Sequence, residues 1–207
     1  MKKMSKLIRS LLTAIFLLTV FSLQVLGQSI HQAIRDELLE MEKADQQART
    51  KCTDGETSKQ LDCFIEISRN IDEPNAKRLK AIFEQIGFPD TKKVGSDGLR
   101  AFMILLQHMQ GDELREKCVK PITRAFKQKE LTPMAYANFI DRFRLHQGRK
   151  QRFGSNFDIK DGKLVMSPTE DLKNLKKRRA EIGLPSLDEY VKELAALYKM
   201  EVIVPES

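Results

Sequence analysis

The sequence predicts a mainly α-helical protein, with about seven helices in a single-domain bundle and one small β-hairpin at about residues 157–166. Three observations predict this class. Apolar residues recur at helical spacing through most of the chain, and helix start and stop signals separate these stretches. One short segment instead alternates around an Asp-Gly pair. With 41% apolar and 31% charged residues over 207 positions, the composition excludes collagen-like, disulfide-dense and low-complexity chains.

Residues 1–27 are predicted to be a secretory signal peptide. Four basic and no acidic residues precede an almost wholly apolar run over 11–26. Val25-Leu26-Gly27 fits a cleavage site before Gln28. An uncleaved membrane anchor is the alternative, but the run is short for a bilayer that needs about 20 residues. We therefore expect an exported bacterial protein, periplasmic or extracellular, with no stable membrane span after cleavage.

The segment 1–27 also carries much of the positive charge. Removing its four basic residues from the 36 leaves 32 against 29 acidic ones, so the net charge falls from +7 to +3. A nucleic-acid-binding protein needs a concentrated basic face, so nucleic acid is not a predicted partner. The rest of the chain is expected to form a single helical domain over 28–200 and a flexible tail over 201–207.

Five helices are predicted before the hairpin. The first runs from Ile30 to Arg49, and one helical turn is expected around 61–68. The helix that follows Ser96 is apolar all round at its centre, which is typical of a central buried helix. Pro121 is expected to kink or break the next one. The four later helices begin at capping signals: Asp72 before Pro74, Ser96, Asp112, and Thr132 before Pro133.

The segment around Asp161-Gly162 predicts the hairpin. A two-residue turn of this type pairs residues 157–160 with 163–166 and places the apolar side chains of both strands on one face. Helices must cover that face, because two strands alone are only marginally stable. Capping-box sequences at 167–170 and 186–189 predict two further helices.

Cys52 and Cys63 are predicted to form a disulfide. They lie 11 positions apart in a polar stretch, and an oxidising compartment favours closing such a loop. Cys118 then remains as a buried thiol among apolar helical neighbours. No metal or other cofactor is predicted, because the chain has no CxxC and its three histidines lie far apart in the sequence.

Ionisable residues fall on apolar helix faces. Asp45 interrupts the apolar stripe of the first helix, and Arg49 follows one turn later; Asp141 and Arg142 lie among apolar residues of the helix after Thr132. An isolated buried charge is costly, so we expect these side chains to meet in a partly buried Asp/Arg/His cluster, with His108 or His146 nearby. Gln151, from the loop after that helix, completes the predicted ligand-binding set. The set is Asp45, Arg49, His108, Asp141, Arg142, Gln151 and Arg179.

An ordered series of short motifs lies along the chain: Asp45-Gln46-x-x-Arg49, Gly87-Phe88-Pro89, Val94-Gly95, Gln107-His108, Asp141-Arg142, Gly148-x-x-Gln151-x-Phe153-Gly154, Arg178-Arg179 and Gly183-Leu184-Pro185. Over most of residues 33–195 this series resembles an uncharacterised bacterial family known only as a domain of unknown function. Members of that family often read Gln-x-Tyr-Gly-Thr-Gln where this chain has Gln-Arg-Phe-Gly-Ser-Asn over 151–156. The resemblance implies positions for a site and no reaction.

Three functions fit this pattern. The first is an exported binding domain whose cluster holds a small polar or anionic ligand or a peptide, with arginines on the anion. The second is a hydrolase-like enzyme in which His108 acts as general base, Asp141 orients it and Arg142 stabilises developing negative charge. The third is a purely structural network, because buried Asp–Arg pairs also tie helices together without chemistry.

Overall fold

The computed structural model describes residues 31–52 and 57–205, except for the side chains of 57–61. The predicted signal peptide and its cleavage site lie outside the described residues. Among the helices that are described, none combines the length and apolar character needed to cross a membrane. The prediction of a mainly α fold with a small β-structure is confirmed.

The helices and strands follow one another along the chain as α1 (31–52), α2 (Thr57–Ile67), α3 (Glu73–Ile86), α4 (Thr91–His108), α5 (Glu113–Lys127), α6 (Pro133–His146), β1 (Phe157–Lys160), β2 (Lys163–Met166), α7 (Leu175–Glu181), α8 (Leu187–Tyr198) and β3 (Val202–Ile203). A π-helical segment, Ser68–Asp72, joins α2 to α3 without a break, and a 3₁₀ turn, Leu172–Asn174, leads into α7.

Helix α4 lies at the centre of the core, as its apolar composition predicts. Leu99, Phe102 and Leu106 are completely buried, and residues of α1, α3, α5 and α6 pack around them. Thr132 caps α6 as expected, since its side chain accepts the N–H of Ala135. Helix α5 continues through Pro121, so of the predicted kink or break the break does not occur.

Two predicted caps are wrong. Helix α4 begins upstream of Ser96, because the carboxylate of Asp90 accepts the N–H groups of Lys92 and Lys93 and starts an earlier turn. Gly95 then interrupts this helix. Its φ is +72°, a conformation that glycine adopts without strain. The side chain of Asp72 caps no helix. The π-helix continues into α3, and the carboxylate of Asp72 binds Arg49 of α1.

The hairpin has the predicted register, with Phe157 opposite Met166 and Ile159 opposite Leu164. On the shared face Leu164 and Met166 are buried, whereas Ile159 is 61% exposed. Strand β3 adds to β2 in parallel, so this part of the segment expected as a flexible tail is structured. Residues 206 and 207 lie outside the described residues.

The two capping-box predictions have opposite outcomes. Ser186 and Glu189 form the predicted reciprocal cap of α8. The box at 167–170 is wrong, because this segment runs alongside the loop after α6: the N–H of Gln151 donates to Pro168 and the N–H of Glu170 donates to Gln151. The helix begins only at Leu175, after the 3₁₀ turn.

The disulfide between Cys52 and Cys63 is present and joins the end of α1 to α2. The Cα atoms of the two cysteines are 5.7 Å apart, within the ordinary range for such a bond. Cys118 is a free, buried thiol, and burial raises its pKa to about 12. This thiol is therefore uncharged at neutral pH and is a poor nucleophile in the folded chain.

Candidate functional site

A first group of charged side chains lies where the later part of α1 meets the end of α4. Asp45 is completely buried, and its carboxylate lies 2.9 Å from Nδ1 of His108. Arg49, one turn further along α1, donates from Nε and Nη2 to Oδ1 of Asp45 at 3.1 and 3.0 Å. Its Nη2 also pairs with Asp72 of the π-helix. We call Asp45, Arg49, Asp72 and His108 the Asp45 cluster.

The bonds of this cluster fix the tautomer of His108. A carboxylate only accepts, so Nδ1 of His108 carries the proton and donates it to Asp45. Nε of Arg49 also lies 3.1 Å from this nitrogen, but it has Oδ1 of Asp45 at the same distance as an acceptor. Nε2 of His108 forms no hydrogen bond within the described chain, and the side chain is 22% exposed. That nitrogen is therefore available to accept a proton.

The two carboxyl groups of the Asp45 cluster have pKa values shifted in opposite directions. Burial acts to raise the pKa of Asp45, but the hydrogen bonds and charges of His108 and Arg49 outweigh it and lower this pKa to about 2. At Asp72 burial is the largest influence and raises the pKa, even though Arg49 opposes it. As the pH falls, Asp72 therefore takes up a proton before Asp45 does.

A second group holds the loop 151–156 in place. Asp141 is completely buried and accepts the N–H groups of Arg152, Phe153 and Ser155 at 2.7–3.1 Å, together with the hydroxyl of Ser155 at 2.8 Å. Burial raises its pKa against these bonds. The expectation that Asp141 pairs with an arginine and orients His108 is wrong. Its partners are loop N–H groups, and the acid beside His108 is Asp45.

Gln151 and Arg179 also bind the loop backbone. The amide of Gln151 donates to the carbonyls of Asn156 and Ser167 at 3.0 and 2.9 Å and accepts the N–H of Asn156. Arg179 donates to the carbonyls of Phe153 and Pro185 at 2.7 and 2.9 Å. We call Asp141, Gln151 and Arg179 the loop brace. The loop brace therefore uses N–H and carbonyl groups of the loop backbone.

Arg142 belongs to neither group. Its guanidinium forms no hydrogen bond or ion pair with the described residues, and its Nε is buried without a partner. Burial and the positive charges of Arg115 and Arg49 lower the pKa of Arg142, but an arginine stays cationic at neutral pH. The predicted single cluster is thus divided into three parts, two with internal partners and one without.

Two adjoining cavities, of about 170 and 280 Å³, share Arg142, Asn156 and Phe157 in their walls. We call them together the Arg142 groove. Gln107 and Asn138 line the smaller cavity beside Arg142, and Tyr198 lies at its edge. Gln107 is the neighbour of His108 in α4, so the groove and the Asp45 cluster meet at the end of that helix.

The predicted site residues leave out Gln107, Asn138, Asp72 and Tyr198, and Gln107 appears only in the series of short motifs. Asn138 lies one turn before Arg142 on α6, so helical spacing alone would have found it. The sequence predicts Asp72 as a cap. The π-helix, in which Asp72 pairs with Arg49, has no recognisable sequence pattern. Tyr198 comes from α8, distant in the chain. In the described part of the chain no group of three or more His, Cys, Asp or Glu residues has a metal-binding arrangement.

A model described as a family of unknown function, DUF6624, matches residues 32–203 of the chain. The match spans every described helix and strand from α1 to β3. No curated protein and no solved structure matches the chain.

Proposed function

We propose that this chain, which belongs to the family of unknown function DUF6624, binds a small negatively charged ligand at the Arg142 groove. The observation that carries this proposal is the unpaired guanidinium. Buried polar groups in proteins nearly always have partners, because leaving one without a bond is costly. Arg142 combines a buried, unpartnered Nε with a position in the walls of both cavities.

The other buried arginines show what a structural arginine looks like here. Arg115 is 1% exposed and donates to the carbonyls of Leu106, Gly111 and Met109 around the end of α4. Nη2 of Arg179 is buried without a partner, but its Nε and Nη1 donate to the carbonyls of Pro185 and Phe153. Arg142 donates to no group of the described chain, so its whole guanidinium is left for a group from outside it.

Titration of the protein with sodium acetate and sodium phosphate, followed by ¹⁵N–¹H NMR, tests the proposal. We expect saturable shifts in the side-chain amide signals of Gln107 and Asn138. Arg142→Met should abolish these shifts. Arg124→Met, which removes an exposed arginine with no side-chain bond in the described residues, should keep them. Shifts that do not saturate, or that persist in Arg142→Met, would overturn the proposal.

A second candidate function is an enzyme with His108 as general base. The favouring observation is the 2.9 Å contact that holds Nδ1 of His108 against Asp45 while Nε2 stays free. In such an enzyme Nε2 takes a proton from water, the hydroxide attacks the substrate, and the imidazolium returns the proton to the leaving group.

Hydrolysis of p-nitrophenyl acetate and bis-p-nitrophenyl phosphate tests this candidate. His108→Gln should abolish release of p-nitrophenol, whereas His146→Gln should not, because His146 is exposed at the end of α6. Equal rates in both variants and the wild type would rule out His108 as the base.

We also propose that the chain is exported. The pattern of residues 1–27 and the disulfide between Cys52 and Cys63 support this. The mature protein should begin at Gln28 and expose one thiol, that of Cys118, on denaturation. A chain that retains Met1, or that exposes three thiols, would contradict export.

A further inference from the structure

The polar side chains in the smaller cavity of the Arg142 groove fall into two sets. The first set already has partners: Ser155 donates to Asp141, the amide of Asn156 donates to Ser155, and the hydroxyl of Tyr190 donates to the carbonyl of Ser155. These groups shape the wall: the hydroxyls of Ser155 and Tyr190 have no donor to spare, and the amide of Asn156 keeps one N–H. They keep the loop side of the cavity in one conformation.

The second set has no side-chain hydrogen bonds within the described residues: Gln107, Asn138, Arg142 and Tyr198. They come from three helices, α4, α6 and α8, that surround the same small cavity. Gln107 and Asn138 are half-buried, so solvent does not fully replace the missing partners. A guanidinium and two carboxamides therefore face one space with unused hydrogen-bonding capacity.

The chemistry of this set selects its ligand. A guanidinium fork matches a planar carboxylate with two parallel bonds. Each carboxamide offers both a donor and an acceptor, which an amide group of the ligand satisfies with its own C=O and N–H. Leu164 and Leu194 line the same cavity and offer contact to an apolar group.

We propose that the Arg142 groove binds the carboxy-terminal residue of a peptide or an N-acylated amino acid. The carboxylate lies on Arg142, the adjoining amide lies between Gln107 and Asn138, and an apolar side chain lies against Leu164 and Leu194. This inference rests on the proposed anion-binding function and names its ligand class.

Charge favours a carboxylate over a phosphate group. Arg142 is the only cationic side chain in the described walls of the smaller cavity. A phosphate carries about 1.5 to 2 negative charges, so one guanidinium leaves it under-neutralised. It also has no N–H group for the carboxamide oxygens. A carboxylate next to an amide uses the whole set.

Size points in the same direction. The two cavities measure about 170 and 280 Å³, each below the roughly 300–1,000 Å³ of sites for drug-sized ligands. One or two amino-acid residues fill such a space, with the rest of a longer peptide left in solvent.

Binding of N-acetyl-glycyl-leucine, measured by calorimetry and by NMR on the whole mature protein, tests the inference. N-acetyl-glycyl-leucinamide is the matched neutral probe, and inorganic phosphate is the alternative anion. We expect the free acid to bind about tenfold or more tightly than the amide, because the amide loses a charge-assisted pair. Arg142→Met should remove this preference.

Asn138→Leu separates peptide recognition from anion binding. It should weaken N-acetyl-glycyl-leucine by about tenfold and weaken acetate by much less, since acetate has no amide; the side-chain amide signal of Gln107 reports acetate binding in this variant. Gln107→Leu serves in its place if circular dichroism shows that Asn138→Leu is unfolded.

The outcomes are distinguishable. If no anion binds, the proposed function and this inference both fall. If phosphate or acetate binds through Arg142 but the acid and the amide bind equally, or if phosphate binds more tightly than the acid, anion binding stands and the peptide inference is overturned. If Asn138→Leu loses binding of N-acetyl-glycyl-leucine but retains binding of acetate, the inference is supported.

Discussion

The Asp45 cluster and the loop brace each contain a completely buried aspartate and an arginine, but the two groups are bonded in different ways. In the Asp45 cluster, side chains bind side chains: Asp45 and Asp72 share Arg49, and His108 keeps one ring nitrogen free. In the loop brace, the side chains of Asp141 and Gln151 bind backbone N–H and carbonyl groups. A buried acid on an apolar helix face therefore does not by itself mark a site.

The difference lies in what remains unsatisfied. Both carboxylate oxygens of Asp141 accept donors of the loop, so this carboxylate is satisfied. Nη2 of Arg179 is buried without a partner, but its Nε and Nη1 donate to carbonyl groups. The Asp45 cluster opens to solvent at His108, and the Arg142 groove beside it leaves a guanidinium without a partner. We therefore expect catalysis or ligand binding where side chains keep hydrogen-bonding groups without partners.

The loop brace gives the largest expected effect. Asp141→Ala leaves three N–H groups and one hydroxyl without their acceptor. Each buried unsatisfied donor costs about 1–3 kcal/mol, and relief of the buried carboxylate offsets part of the sum. We expect the free energy of unfolding to fall by about 3–5 kcal/mol, measured by urea denaturation.

Asp62→Ala provides the control for Asp141→Ala, because Asp62 is exposed on α2. Its free energy of unfolding should stay within about 0.5 kcal/mol of the wild type. Should Asp141→Ala unfold at the same urea concentration as this control, the brace does not hold the loop and the comparison above fails.

The Asp45 cluster gives an intermediate effect that depends on pH. The pKa of Asp45 is about 2 in the folded chain against 3.8 for the unfolded carboxyl. A lowered pKa contributes stability that is complete above about pH 4 and is lost as the pH falls toward 2. At about pH 6, Asp45→Asn should therefore cost about 2 kcal/mol.

Denaturation of the wild type and Asp45→Asn across pH 2 to 6 measures this contribution. The difference in free energy of unfolding should narrow as the pH falls through the interval between the two pKa values. A difference that stays constant over the interval would show that the ion pairs of Asp45 are not what stabilises this region.

Helical periodicity placed Asp45 and Arg49 together on α1 and His108 on an apolar helix, but it paired His108 with Asp141 and not with Asp45. It could not identify the partners of Asp141. Those partners are backbone N–H groups of a loop, and the spacing of side chains carries no information about them. The cap predicted at Asp72 is wrong for a different reason. The π-helical segment that ends at Asp72 continues directly into α3, so the carboxylate is not needed as a cap and binds Arg49 instead.

The smallest expected effect, and the one that bears most on function, comes from Arg142. Arg142→Met keeps the aliphatic stem and removes a half-buried charge that has no partner in the described chain. The variant should therefore be as stable as the wild type or more stable by about 1 kcal/mol, as thermal and urea denaturation would show. Arg115→Met is the matched control.

Arg115→Met should lose about 3 kcal/mol, because Arg115 satisfies carbonyl oxygens at the end of α4. A residue that costs stability in the free protein and yet occupies the wall of a groove is typical of a ligand-binding group, whose partner arrives with the ligand. A large loss of stability in Arg142→Met would instead make Arg142 a third structural arginine and remove the reason to look for a ligand at this groove.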